Sequence, residues 1–248
     1  MATNDYKQYA GSSGANVETQ TAYASDATLA NGITTGMILP STLINKIWRQ
    51  ATMACAALGT IIASSGVNAI DDGNVTNFVA ELLAALNQIM IVEDQKTTGT
   101  QGGSSTAGVQ TRTLNTVVSN TINGASLASN QITLPAGIYR VQASAPAFDS
   151  NQHQIALYNV TDSAYSLTGT TENTTSHSVE STGPTFNPVG TRSMIDGIIS
   201  ISATKVFQIN HGIQFAVADY GLGQCGITSP SIAMTHEVYT RVSICKIG

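Results

Sequence analysis

Charge is scarce in this chain. Of 248 residues only 10 are Lys or Arg and 15 are Asp or Glu, together 10%, where an ordinary soluble domain carries roughly 25%. At a net charge of −5 the sequence has no basic footprint of the kind a counterion-releasing nucleic-acid binder needs, so nucleic acid is not an expected partner. Cysteine is sparse too: Cys55, Cys225 and Cys245 are too few and too scattered for a disulfide framework. Long apolar runs are missing. The least polar stretch, 51–63, is broken by Thr52, Gly59 and Thr60, and a spanning helix needs about 20 apolar residues. It reads as a buried helix, with no membrane insertion. The opening MATNDYKQY lacks the apolar core of a secretory signal, so synthesis in the cytoplasm without a leader is expected. Ser, Thr, Asn, Gln and Gly take the place of charge, a surface suited to β-rich extracellular or virion parts. Hydrophobic residues, at 42%, suffice for a sizeable core.

The pattern of those apolar residues changes near residue 93. After Pro40-Ser41, with Ser41 as the expected N-cap, Leu43, Ile44, Ile47, Trp48, Ala51, Cys55, Leu58, Ile61 and Ile62 recur at helical spacing, and Ser64-Ser65-Gly66 supplies a stop. A second helix is expected after Asp71-Asp72-Gly73-Asn74, its stripe running from Val75, Phe78, Val79, Leu82, Leu83 and Leu86 to Ile89 and Met90. The first forty residues read as extended, apart from one short helix near 20–30. Glu93–Val109 is Gly/Ser/Thr-rich and reads as a flexible linker. Beyond it the period drops to two: Tyr139, Val141, Ala143 and Ala145 alternate with Arg140, Gln142 and Ser144. Further strands are expected through Ile195–Ile201, Phe207–His211, Ile213–Val217 and Val238–Ile247. Short strands separated by turns such as Pro135-Ala136-Gly137 and Asp149-Ser150-Asn151 predict a jelly-roll sandwich. The class is α+β: a helical region 1–92, a linker 93–109 and an all-β module 110–248.

Sites of chemistry are hard to find. Gly221-Leu-Gly-Gln-Cys-Gly226 has the dinucleotide-binding spacing, yet Ile227-Thr-Ser-Pro230 follows instead of a helix, so it reads as a loop between strands. His153, His177, His211 and His236 have no metal-ligand spacing; His153 and His211 each border a strand, where symmetry copies could ring an axis around a metal or anion, but a satisfied or partly exposed histidine is the favoured reading. Cys225 and His236 lack a third orienting group. The carboxylates of the β region (Asp149, Asp162, Glu172, Glu180, Asp196, Asp219 and Glu237) define no glycosidase pair. No catalytic residue, metal or cofactor is expected. The sequons at Asn74, Asn159 and Asn173 reflect an Asn/Thr-rich composition. Tyr165, Phe186 and Tyr220, in expected loops, are the candidates for stacking on a sugar or protein surface.

The segment TRTLNTVVSNTINGASLASNQITLPAGIYRVQASAPAF, continued in HQIALYNVTDSAYSLTG, TRSMIDGIISISATKVFQINH and EVYTRVSICKIG, resembles C-terminal modules of tailed-phage tail fibres and baseplate appendages. NDYKQYAGSSGANVETQTAYA and LINKIWRQATMACAALGTIIA resemble phage tail-fibre proteins as well. Such modules resemble the TNF-like and complement-head jelly rolls, which assemble as trimers. The resemblance implies a virion tail protein, a homotrimer joined to other tail or baseplate proteins through residues 1–92, with Trp48, Phe78 and Leu82 as anchoring candidates. Its β-module would touch a host glycan or protein by uncharged polar and aromatic contacts. The alternative is a baseplate component that docks other tail proteins without reaching the host. A depolymerase is disfavoured, the β region being too short for a β-helix.

Overall fold

The computed structural model describes residues 2–174, 189–226 and 235–248. The chain divides into two compact units, Met1–Asn87 and Gln88–Gly248.

In the first unit, short helices α1 (Gln20–Ser25) and α2 (Ala27–Asn31) replace the single one expected, because Asp26 ends the first and caps the second through Thr28 N. Helix α3 (Ser41–Ser64) follows the expected stripe and stops where expected. Its cap is Pro40, not Ser41. Ser41 already lies in the first turn, and its hydroxyl accepts instead from Asn16 Nδ2 at 3.2 Å. Helix α4 (Val75–Leu86) opens on Asn74, whose side chain accepts from Thr76 N. An extended segment meets α3 at Gly59, where an added Cβ would lie 2.5 Å from Asn4 Oδ1. Tyr6 of that segment packs its ring 4.9 Å from Phe78.

The second unit is a β-sandwich. Its strands are β1 (Ile89–Thr97), β2 (Gly108–Thr111), β3 (Thr116–Asn120), β4 (Ser126–Ala128), β5 (Gln131–Leu134), β6 (Gly137–Phe148), β7 (Gln152–Asn159), β8 (Ala164–Thr168), β9 (Glu172–Asn173), β10 (Gly190–Ile201), β11 (Lys205–Ile213) and β12 (His236–Lys246). One sheet has the order β10-β6-β12-β1-β3 and the other β4-β5-β11-β7-β8, with β2 on β11 and β9 on β7. Taking the principal strands β1, β5, β6, β7, β8, β10, β11 and β12 in turn, the chain passes between the sheets in jelly-roll connectivity, and every pairing is antiparallel. The core lies between the sheets. Met90, Val92, Tyr139, Val141, Ile195, Val242 and Ile244 face Ile132, Leu134, Ile155, Leu157, Phe207 and Ile209. The alternation expected in β6 holds from Tyr139 to Ala145.

Two expected boundaries are corrected. The module begins at Gln88, not at residue 110, and 93–109 is not a free linker. Ile89 and Met90 leave the helical stripe because they pair with Cys245 and Ile244 of β12, and the strand runs on through Glu93 to Thr97. The Gly/Ser stretch that follows is bonded into the module: Gly102 N donates to Gly223 O at 2.7 Å, Gly103 N to Asp219 O at 3.0 Å and Ser105 N to Val217 O at 2.8 Å. Gly102 is required there, since an added Cβ would come 2.7 Å from Gly223 O. Small residues here serve close packing, not freedom. The strand expected over Ile213–Val217 is also absent: β11 ends at Ile213, and Phe215 stands 48% exposed.

Removing β1 therefore deletes an inner strand and two core side chains. A fragment 88–248 should unfold in one cooperative thermal transition followed by circular dichroism, and a fragment 110–248 should show none. An equally cooperative 110–248 would contradict this placement of β1.

Candidate functional site

Because strand side chains alternate, the residues between the core positions define an outer face for each sheet. On the first sheet the register aligns Ile198, Arg140, Cys245 and Ile89 in one row and Asp196, Gln142, Ser243 and Ile91 in the next. Met194, Ser144, Arg241 and Glu93 form a third row. Ile138 and Ile247 extend this face, joined by Ile247 N to Ile138 O at 2.8 Å. Met194 is 59% and Ile198 61% exposed, apolar side chains where an outward face would normally be polar. The charges among them are spent on one another. Arg140 grips Asp196 through Nε at 3.1 Å and Nη2 at 2.8 Å, and Arg241 Nε donates to Glu93 Oε1. Asp196 is held below the usual carboxylate range, chiefly by the Arg140 hydrogen bond.

The outer face of the second sheet differs in chemistry. A groove of about 260 Å³ crosses it, lined by Val109, Gln154, Ala156, Tyr165, Thr168, Asn210 and Gly212, with the backbone of Ile155 beneath and no charged side chain among the lining residues. Tyr165 stands 57% exposed, its ring edge-on to Tyr158 at 5.1 Å. Of the aromatic contact candidates among the described residues, Tyr165 belongs here, and it sits on β8 rather than in a loop. Tyr220 packs edge-on to Phe148 at 5.5 Å, and Phe186 lies outside the described residues. Gln154, Tyr158 and Asn210 were not picked out by the sequence. The alternation Gln154-Ile-Ala-Leu-Tyr158 is the signal that marks their face.

Among the anchoring candidates, Trp48 is 57% exposed instead of buried in the middle of a stripe. Phe78 and Leu82 are half-buried, and α4 has no buried residue at all. Val75, Leu83 and Leu86 of α4 stand exposed. Tyr6 packs on Phe78, and α3 contacts α4, but together they cover only part of its apolar side.

Inside the sandwich, two histidines that sequence spacing leaves apart are brought together. His153 Nδ1 lies 3.0 Å from His211 Nε2, and His153 Nε2 meets Thr191 Oγ1 at 2.8 Å. Both rings are buried. Desolvation brings His153 down to about 4, against the pull of Glu172 and with the help of the Arg112 charge, and desolvation with the Arg112 charge brings His211 down to about 2. Arg112 itself is fully buried, bonding Thr240 Oγ1 at 2.8 Å and Leu222 O at 3.0 Å, and burial lowers its guanidinium to about 10. Asp94, also buried, is pushed upward by desolvation despite Lys96 and Arg112. Among the described residues no three His, Cys, Asp or Glu side chains converge as a metal site. Cys225 is buried, and His236 Nδ1 meets Thr235 Oγ1 at 2.9 Å. Gly221–Gly226 forms a turn whose Gly223 sits at φ 133° against Tyr239, the loop expected in place of a nucleotide site. No described helix is long and apolar enough to cross a membrane.

No protein-family model matches the chain, and no curated protein matches it in sequence. Among solved structures, murine APRIL at pH 8.5 aligns with a TM-score of 0.39 and 7% identity, covering 65% of this chain and 99% of that one. The globular domain of zebrafish complement 1qA protein aligns at 0.37 and 15% identity, covering 64% and 95%. The jelly-roll assignment rests on the strand order of this chain itself.

The buried histidine pair makes the module acid-sensitive. Both rings stay neutral in the fold, while the unfolded chain takes up protons below about pH 6.5. Stability therefore falls as pH drops below that value, ceasing for His153 near pH 4 and for His211 only near pH 2. The slope is about 1.4 kcal/mol per pH unit per histidine; Asp94, with its raised carboxyl, works in the opposite sense at lower pH. Urea unfolding between pH 6 and 4.5 should show this loss, and His153→Gln with His211→Gln should flatten it. A wild-type stability independent of pH over that range would contradict the account.

Proposed function

We propose that this chain is a structural component of a phage tail, a self-associating fibre or baseplate appendage that assembles as a trimer and presents its jelly roll to the host surface. The observation that carries the self-association is the outer face of the first sheet. Met194 and Ile198 are exposed there, and its charges are already neutralised by Arg140–Asp196 and Arg241–Glu93. A face of that kind gains by covering its apolar area and has few unpaired charges to desolvate in doing so. Closed symmetry is the ordinary result when one patch of a chain packs on its copies. The tail assignment is supported by the sequence resemblance, which runs through both units. In this reading the first unit is the attachment region, and the exposed apolar residues of α3 and α4, Trp48 among them, are covered by neighbouring tail proteins. No catalytic step is part of the role.

Sedimentation of the full chain at micromolar concentration should give a particle three times the 25.7 kDa chain mass. Met194→Glu with Ile198→Glu should reduce it to a monomer that still unfolds cooperatively. A monomeric wild type, or a trimer that survives both glutamates, overturns the interface. Trp48→Ala should leave unfolding within about 1 kcal/mol of wild type, as for other largely exposed positions, yet sharply reduce incorporation into tail particles. Normal incorporation would place the attachment elsewhere.

A further inference from the structure

The groove on the second sheet has a pattern that composition does not require. Asn210 on β11 stands opposite Ala156 on β7, and Gly212 stands opposite Gln154. Two amides thus occupy one diagonal of a four-residue square, and two of the smallest residues occupy the other. The small pair leaves a depression between the two amides, and half-buried Gln154 and buried Asn210 both line it.

Each amide is oriented by its neighbours. Gln131 Nε2 donates to Gln208 Oε1 at 3.1 Å, and Gln208 Nε2 donates in turn to Asn210 Oδ1 at 2.7 Å and to Thr111 Oγ1 at 3.0 Å. This directional chain uses the oxygen of Asn210 and leaves its Nδ2 as the donor toward the groove. Gln154 is turned the opposite way: its Nε2 donates to Gly169 O at 2.8 Å and Thr171 Oγ1 at 3.1 Å, so Oε1 remains as an acceptor. A fixed donor and a fixed acceptor flank one depression, with the Thr168 hydroxyl and the exposed ring of Tyr165 at its side.

We propose that this groove binds a neutral hexopyranose unit of a glycan. Adjacent sugar hydroxyls both donate and accept, so one can take a hydrogen bond from Asn210 Nδ2 while the next gives one to Gln154 Oε1. The apolar C–H face of the ring packs on Tyr165. A carboxylated or phosphorylated sugar is disfavoured, because the lining holds no cation to offset desolvation of its charge. The inference deepens the host-surface reading by giving its ligand class and location, and it needs neither the trimer nor the tail. It also places the contact on a sheet face and not on the loops expected from sequence.

The test is saturation-transfer NMR on the full chain. Its probes are the methyl α-pyranosides of glucose, galactose and mannose, with N-acetylglucosamine, and N-acetylneuraminic acid as the charged comparison. Transfer to the ring protons of at least one neutral probe is expected, and little to the acid. Tyr165→Ala should weaken it about fivefold or more, the range for loss of an aromatic stacking partner. Gly212→Val should abolish it by filling the depression, in a backbone position where the first added carbon meets nothing closer than Gln154 O at 3.7 Å. Thermal unfolding identifies any variant that fails to fold, and the other then decides. Absence of transfer to every neutral probe, equal transfer to the acid, or signals unchanged in the folded variants would overturn the proposal. A monomer that binds the probes would refute the assembly reading alone; a trimer that binds none would refute the groove alone.

Discussion

The antiparallel pairing of Ile89–Thr97 with His236–Lys246 closes the first sheet at its middle, joining the two ends of the β-module, and it fixes which residues of these two strands face inward and which outward. With the register at Met90↔Ile244 and Val92↔Val242, these four side chains point into the core. A slip of β1 by one residue would send Met90 and Val92 outward and turn Ile91 and Glu93 toward the core. Together with the β6 pairings, this register carries the outer rows across four strands, which is how Ile198, Cys245 and Ile89 come to share one surface. Pairing the terminal strands also protects them from fraying, since each has a neighbour on both sides.

The two outer faces then diverge because different residue types fill the same geometric positions. On the first sheet the outward positions hold isoleucine, methionine and charges that neutralise one another. On the second they hold amides, hydroxyls and tyrosines. This division is the physical basis for assigning self-association to one face and ligand contact to the other. Between them lies a polar interior region unusual for a sandwich, with Arg112 fully buried and satisfied by Thr240 and Leu222 near a neutral histidine pair. Buried polar groups of this kind stabilise only while their partners and protonation hold, so the module gains specificity of packing and loses tolerance to acid.

Much of the sandwich was legible because alternation is a local signal. Tyr139 to Ala145 and Ile195 to Ile201 could be placed with their inward residues from spacing alone. Strand β1 could not, because Ile89-Met-Ile-Val92 follows directly on the apolar stripe of α4 and looks like its last turn. Only pairing with a strand some 150 residues away distinguishes the two. The Gly/Ser composition of 98–108 was misleading for a related reason: small residues allow both free chain and close backbone approach, and Gly102 against Gly223 is the latter. The groove was legible only through Tyr165. Its amide diagonal is built from Gln154 and Asn210, and the histidine pair from His153 and His211. In each case residues distant in sequence become neighbours through the β7–β11 register, which no motif spacing records.

The most direct measurement is photo-cross-linking from a benzoylphenylalanine placed at position 198 and, separately, at position 165 of the full chain. If the outer face of the first sheet is covered by copies of the chain while the second stays open, position 198 yields covalent dimers and trimers and position 165 yields only monomer. Multimers from position 165, or none from position 198, would contradict the account.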